Sequence, residues 1–345
     1  MGPRKSQIGV MALQLLLACA LLSAAISVAG TTKSDSISTE LHRFLHADSS
    51  ASCGILFARL DGIDSAPQVW TAGAIDKESD LRLGCPTAKP LLAYLTLKEG
   101  IPLDATIDRW FPERSGFTNS HAITIRNLLS NMSGIRDYVP LVPMNPDSAI
   151  TPENSVDRAY RNQALLFEPG AGFEYSNTNF NMIGLILESR TGKTVSQLFQ
   201  ETFRTYAPTL RLDDGKGNYP VGYAKPWPYH WSAPGFAGGF IGSAADAMRV
   251  FYFVSSEPEF RKMITWLTPS GSQPNTSANN LMGLGIFGKR NFAGCGQVVV
   301  YEGNMGPCQM IIAEVQGSVF YIASAHNVAP ADLSNLFQKL IGMSL

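Results

Sequence analysis

The sequence predicts an α+β sandwich: an antiparallel sheet built from both chain ends and flanked by helices, with a mainly helical domain inserted. Two observations carry this. Strand-like apolar stretches gather toward the two ends, at 53–60 and 68–72, then at 297–301, 309–315 and 319–325. Between them, residues 86–235 are dominated by helical patterns and Pro/Gly-rich loops. One sheet therefore draws on residues 37–85 and 236–342, and the helical region of 86–235 interrupts it. A length of 345 residues suffices for one large domain or two interleaved ones.

The elements follow in order. Residues 1–30 read as a signal peptide or a membrane anchor. Arg4 and Lys5 precede an apolar run from Ile8 to Ala29 broken only by Gln14, Ser23 and Ser27, and Ser27-Val28-Ala29 suits cleavage. The run is also long enough to stay uncleaved in a bilayer. Either way the expected location is outside the cytosol: periplasmic, extracellular or membrane-anchored. After a polar linker, Ile37 to Leu45 has helical spacing. Cys53 to Leu60 reads as a strand, Asp61-Gly62 turns it, and Gln68 to Ala72 returns. Helices are expected over 124–132 and over 179–191, the second closed by Gly192. Ser243 caps another that opens at Ala244. Three strands follow, and a helix from Pro330 to Ile341 ends the chain.

Composition excludes some functions. A net charge of −1 with no basic stripe argues against nucleic acid. Beyond the leader, Cys53, Cys85, Cys295 and Cys308 would form up to two disulfides in an oxidising compartment. Their spacing does not suit zinc, and with only five histidines no metal or other cofactor is implied. Asn131-Met132-Ser133 and Asn275-Thr276-Ser277 match the glycosylation sequon. Only the second, in a polar loop, is expected to be usable.

The chemistry-bearing residues form an ordered set. Leu83-Gly84-Cys85-Pro86-Thr87-Ala88-Lys89-Pro90 leads into an apolar helix, a usual place for a lysine that activates a nucleophile. Phe173-Glu174-Tyr175-Ser176-Asn177-Thr178 opens a second helix. A phenol and an amide two residues apart on a turn can share a cleft, one moving a proton and the other holding a carbonyl. Asn131-Met132-Ser133-Gly134, Gly238-Gly239-Phe240-Ile241-Gly242-Ser243 and Tyr301-Glu302-Gly303-Asn304 complete the set.

In this order the motifs closely resemble the serine β-lactamase and penicillin-binding-protein superfamily, in its class C β-lactamase, DD-peptidase and family VIII esterase branch. The resemblance runs from about Ile37 to the last helix. It implies the β-lactamase/transpeptidase-like fold, with an active site between sheet and helical region, and a small-molecule or peptide acyl substrate. Position by position, Lys89 matches the lysine of the family's Ser-x-x-Lys, and Tyr175 and Asn177 match Tyr-x-Asn. Tyr301-Glu302-Gly303 falls where a Lys-, His- or Trp-x-Gly strand is expected. Pro86 stands at the serine position, and Cys85 takes it only if one extra residue is allowed.

Two functions stay open. In the first, the protein is an acyl hydrolase or transferase with Cys85 as nucleophile, Lys89 as base and Tyr175 as proton shuttle. Asn177, Tyr301, Gly303 and Asn304 would then bind substrate, and backbone donors at residue 85 and near Gly303 would hold the oxyanion. In the second, a pseudoenzyme keeps the cleft as a binding or regulatory module. The bland alternatives are a paired or packing thiol at Cys85, a solvated Lys89, and a strand aromatic at Tyr301. Pro90, which favours the first helical position, would begin the helix after Lys89 and separate Cys85 from it.

Overall fold

A long apolar strand can be tolerated only where both of its faces are covered, and β1 (Gly54–Leu60) is such a strand. The computed structural model describes residues 32–45, 53–82, 84–213, 215–217, 228–265, 280–305, 308–325 and 330–345, without the side chains of 84–86, 305 and 330. The 1–30 segment and the Asn275 sequon lie outside these residues. Among the described residues no helix is long and apolar enough to cross a membrane.

β1 forms a hairpin with β2 (Gln68–Gly73) and pairs on its other edge with β10 (Ser318–Ala325). The sheet continues through β9 (Cys308–Val315), β8 (Val298–Met305), β7 (Phe287–Lys289) and β6 (Asn280–Met282), every pairing antiparallel. The first two strands of the chain thus join the last five in one seven-stranded sheet, as the end-clustered apolar runs predict. Alternation divides its side chains. Ile55, Phe57, Phe320 and Ile322 pack with α1 (Lys33–Leu45) and α10 (Pro330–Ser344) on one face. Leu56, Ala58, Val319 and Tyr321 face the helical layer on the other.

That layer is centred on α2 (Gly84–Lys98), whose Leu91, Leu92, Ala93, Tyr94 and Leu95 are all buried. A helix apolar on every side belongs in a core. It packs against β8, α5 (Asn177–Thr191), α7 (Gly235–Gly238) and α8 (Ala244–Ser256). The remaining helices are α3 (Ile125–Leu129), α4 (Pro152–Ala159), α6 (Val195–Phe203) and α9 (Pro258–Met263). Ser243 caps α8 as expected, its Oγ accepting from the Asp246 N–H.

Four outcomes differ from the sequence reading. The helix expected over 124–132 is confined to Ile125–Leu129, because Asn131 turns the chain with φ of 57°. A second sheet of β3 (Leu81–Arg82), β5 (Phe240–Gly242) and β4 (Arg211–Leu212) was not legible, since strands of two or three residues show no periodicity. α2 begins at Gly84 and carries Pro90 inside it, so the helix does not wait for that proline. Finally, among the described residues no disulfide joins Cys53, Cys295 and Cys308 to one another. Cys53 and Cys308 are buried and pack as small apolar side chains.

The small sheet places a buried ion pair just before α2. Arg82 donates through Nε to Asp213 at 2.6 Å and through Nη2 to the Gly217 carbonyl at 3.0 Å. Its guanidinium lies 3.7 Å from the centre of the Trp231 ring. Planar, bidentate-capable and weakly hydrated, arginine suits such a site.

Candidate active site

Lys89 sits in the second turn of α2 and is wholly buried. It is not a solvated helix-start lysine. Its Nζ donates to the Ala237 carbonyl of α7 at 2.8 Å and lies 5.2 Å and 5.3 Å from the ring centres of Tyr175 and Phe180. One carbonyl and two π faces therefore replace its water shell.

Tyr175 and Asn177 flank Ser176, the N-cap of α5, whose own side chain makes no cap bond. The chain supplies the missing acceptors from the Asn131–Asp137 segment. Asn131 Oδ1 accepts from the Ser176 N–H and from Asn179 Nδ2, both at 3.1 Å, and Ser133 Oγ donates to Asn179 Oδ1 at 2.7 Å. Ser133 Oγ also accepts from the Ile135 N–H, so it shapes the turn. The Arg136 carbonyl accepts from Ser176 Oγ and Thr178 Oγ1. Gly134, at φ of 77°, has no room for a Cβ, which would meet the Phe167 carbonyl at 2.2 Å. These bonds lock the Ser-Gly turn to the Tyr-x-Asn turn. Asn131, buried and engaged, is no glycosylation site.

The polar line through the site runs from Tyr175 to Asp137. The Tyr175 phenol donates to Asn177 Oδ1 at 3.3 Å. Asn177 Nδ2 reaches Asp137 Oδ1 and Oδ2 at 3.3 Å and 3.1 Å, and the Asn177 N–H donates to Asp137 Oδ1 at 3.1 Å. Burial pushes the Asp137 carboxyl above the usual carboxylate range; its bonds to Val139 and Asn177 and the charge of Lys89 oppose that push.

The sheet side is aromatic. Tyr301 is buried and meets Phe287 edge-on with ring centres 5.2 Å apart, and Phe287 lies 6.4 Å from Tyr175. A cavity of about 180 Å³ borders Phe287, Gly288, Lys289, Tyr301 and Glu302. Gly303 is half-buried and Asn304 exposed, in register with Met310 and Gln309 on β9. Of the residues singled out from sequence, the structure joins Lys89, Tyr175 and Asn177 directly and brings Tyr301 to them through Phe287. Gly303 and Asn304 follow on β8, which packs on α2. Cys85 lies in the first turn of α2, and its side chain is outside the described residues. Thr87 is buried within the helix and does not cap it.

Sequence reasoning missed Asp137, Phe180, Phe287 and the Ala237 carbonyl. Asp137 gave one signal, a lone carboxylate three residues beyond the Ser-Gly turn. The others become neighbours only through tertiary packing.

Comparison with known proteins bears on the family and the fold. A family model described as Beta-lactamase matches residues 90–339. A D-aminopeptidase of Brucella anthropi is 30% identical over 109 residues, 31% of this chain and 19% of that protein. A D-aminopeptidase of Cereibacter sphaeroides (strain ATCC 17029 / ATH 2.4.9) is 31% identical over 159 residues, 43% of this chain and 30% of that protein. The match thus spans less than a third of these relatives' length. Among solved structures, D-amino acid amidase from Ochrobactrum anthropi SV3 complexed with L-phenylalanine superposes with a TM-score of 0.76 at 18% identity, covering 90% of this chain and 98% of that one. D-stereospecific amidohydrolase from Streptomyces sp. gives 0.72 at 20% identity, covering 87% and 96%. These two likenesses are of fold. With its sheet, its helical layer and the matched span taken together, the chain belongs to the Beta-lactamase family, within the penicillin-binding-protein and β-lactamase superfamily.

Proposed function

We propose that the protein is an exported acyl hydrolase or acyl transferase that uses Cys85 in place of the family's serine. Amides or short peptides of amino acids are the proposed substrates, the class named in the matched D-aminopeptidases and D-amino acid amidases. One observation carries the reading: α2 begins at Gly84, so positions 85 and 89 stand one helical turn apart on one face. In the first turn of a helix, with a lysine one turn further on, a cysteine would be favoured as thiolate. The thiolate sulfur would bond to the acyl carbon as the carbon–nitrogen bond breaks, and the Lys89 ammonium or the Tyr175 phenol would give its proton to the departing amine. Water would then release the acid and restore the thiol. Asn177 and the β8 edge at Gly303 and Asn304 would hold the substrate, with backbone N–H groups facing the oxyanion.

A second reading, a pseudoenzyme serving as a binding module, has its own support. Pro86 occupies the position in strict register with Lys89, and the ammonium is already bonded to the Ala237 carbonyl. Intact-protein mass spectrometry separates the two. After exposure to an amino-acid amide, an activated ester and a β-lactam, an adduct absent from Cys85→Ala is expected. No adduct in folded wild-type protein would overturn the enzyme reading in favour of the second.

A further inference from the structure

We infer that Asp137 is a positioning residue: its carboxylate fixes which way the Asn177 amide faces, and through it the hydrogen bond made by the Tyr175 phenol. The inference deepens the proposed function, since it assigns the device that orients the proposed proton shuttle.

An asparagine amide can occupy one site in two ways, exchanging oxygen for nitrogen, and only its partners choose between them. At Asn177 a carboxylate stands on one side and a phenol on the other. An ionised carboxylate only accepts, so the Nδ2 side must face Asp137, at 3.3 Å and 3.1 Å from its two oxygens. Oδ1 is thereby turned toward Tyr175, and the phenol becomes the donor at 3.3 Å. The opposite orientation would place two acceptors face to face at Asp137 and present an N–H to the phenol oxygen.

The carboxylate is itself held. Its Oδ1 takes the Asn177 backbone N–H at 3.1 Å, at the positive end of the fifteen-residue helix α5. Asp137 follows the Ser-Gly turn, which Asn131 and Ser133 pin to the start of the same helix. The carboxylate and the amide therefore sit on two segments that cannot drift apart. Burial opposes a charge at this position, and the bonds from Val139 and Asn177, together with the Lys89 cation, offset it only in part. A buried carboxylate retained against that cost, bonded to the amide of the Tyr-x-Asn turn, has the arrangement of a rotamer lock.

The test uses the full chain with ¹⁵N-labelled asparagine. In wild type, the Asn177 side-chain N–H signals, assigned by their loss in Asn177→Asp, are expected to exchange slowly with solvent. Asp137→Asn should shift them and speed exchange at least about tenfold. Adduct formation with an activated ester should slow about ten- to a hundredfold, the scale of one hydrogen bond to a charged group. The exchanged pair, Asp137→Asn with Asn177→Asp, keeps the net charge and swaps donor and acceptor. It should restore a slowly exchanging amide, now at position 137. Unchanged Asn177 amide signals in Asp137→Asn would overturn the inference. If that single variant does not fold, a fast-exchanging amide at position 137 in the exchanged pair would do so. Absence of adduct in wild type, with the amide signals behaving as expected, sinks the proposed reaction and leaves the positioning role standing.

Discussion

Arg82 and Lys89 are buried cations seven residues apart, and their surroundings could hardly differ more. Arg82, in β3, meets the Asp213 carboxylate at 2.6 Å, a backbone carbonyl and the face of Trp231. Lys89, in α2, meets a carbonyl and two aromatic rings, while Asp137, which feels its charge, binds the Asn177 amide. The first arrangement satisfies a charge completely and ties three segments together at the start of α2. The second places a cation beside a phenol without a carboxylate clamped on it. A salt bridge consumes a charge for structure; a carbonyl and two π faces hold it where it can still influence a reaction.

Unequal substitutions test this contrast. Arg82→Met leaves Asp213 buried without its cation and should cost about 3–5 kcal/mol in urea unfolding. Replacing Asp213→Leu as well should recover most of that loss. If the single variant costs no more than an ordinary surface change, the structural role of Arg82 fails. Lys89→Met conserves volume and removes an ammonium from the core. Its cost should stay below about 2 kcal/mol, mostly from the Ala237 carbonyl left without a donor. The same variant should abolish the Cys85 adduct, so stability and reaction separate. Tyr175→Phe keeps the ring beneath Lys89 and deletes only the hydroxyl. It should shift stability by about 1 kcal/mol or less while slowing adduct formation about 10²–10⁴-fold. A Tyr175→Phe protein reacting at the wild-type rate would remove the phenol from the mechanism.

The same pair shows what could be read in advance. The main sheet was legible because β1, β9 and β10 are covered on both faces, which forces apolar runs of seven or eight residues. Arg82 was invisible: its strand has two residues, and its partners Asp213 and Trp231 lie more than 130 residues away. Lys89 was found by its ordered companions, yet its burial was not. Pro90 misled the reading of the helix start. It lacks the N–H that would bond the carbonyl of residue 86, and it normally marks a first turn. Here burial of Ala88, Leu91 and Leu92 in the core outweighs one absent hydrogen bond. Asp137 escaped notice because its partner Asn177 is forty residues away, and no local pattern announces a rotamer lock.

The smallest expected effect concerns pH. The Asp137 carboxyl lies above the ordinary value of 3.8, with burial as the chief cause. The native state therefore holds this proton more tightly than the unfolded chain. Stability from the group is present in acid and is lost as pH rises through its folded value. Among the described residues, the groups that act on it are the Val139 N–H, the Asn177 amide and N–H, and Lys89, of which Lys89 carries charge. Asp137→Asn cannot titrate, so the variant should gain on wild type as pH is raised from 4 to 7. Glu188 and Glu314, also raised by burial, are common to both proteins and cancel in the difference. Urea midpoints for the pair across that range measure it. A difference that stays flat, or that shifts in favour of wild type toward neutral pH, would mean that Lys89 fully compensates the carboxylate. The Lys89–Asp137 pair would then be a second structural salt bridge like Arg82–Asp213, and the contrast between the two cations would collapse.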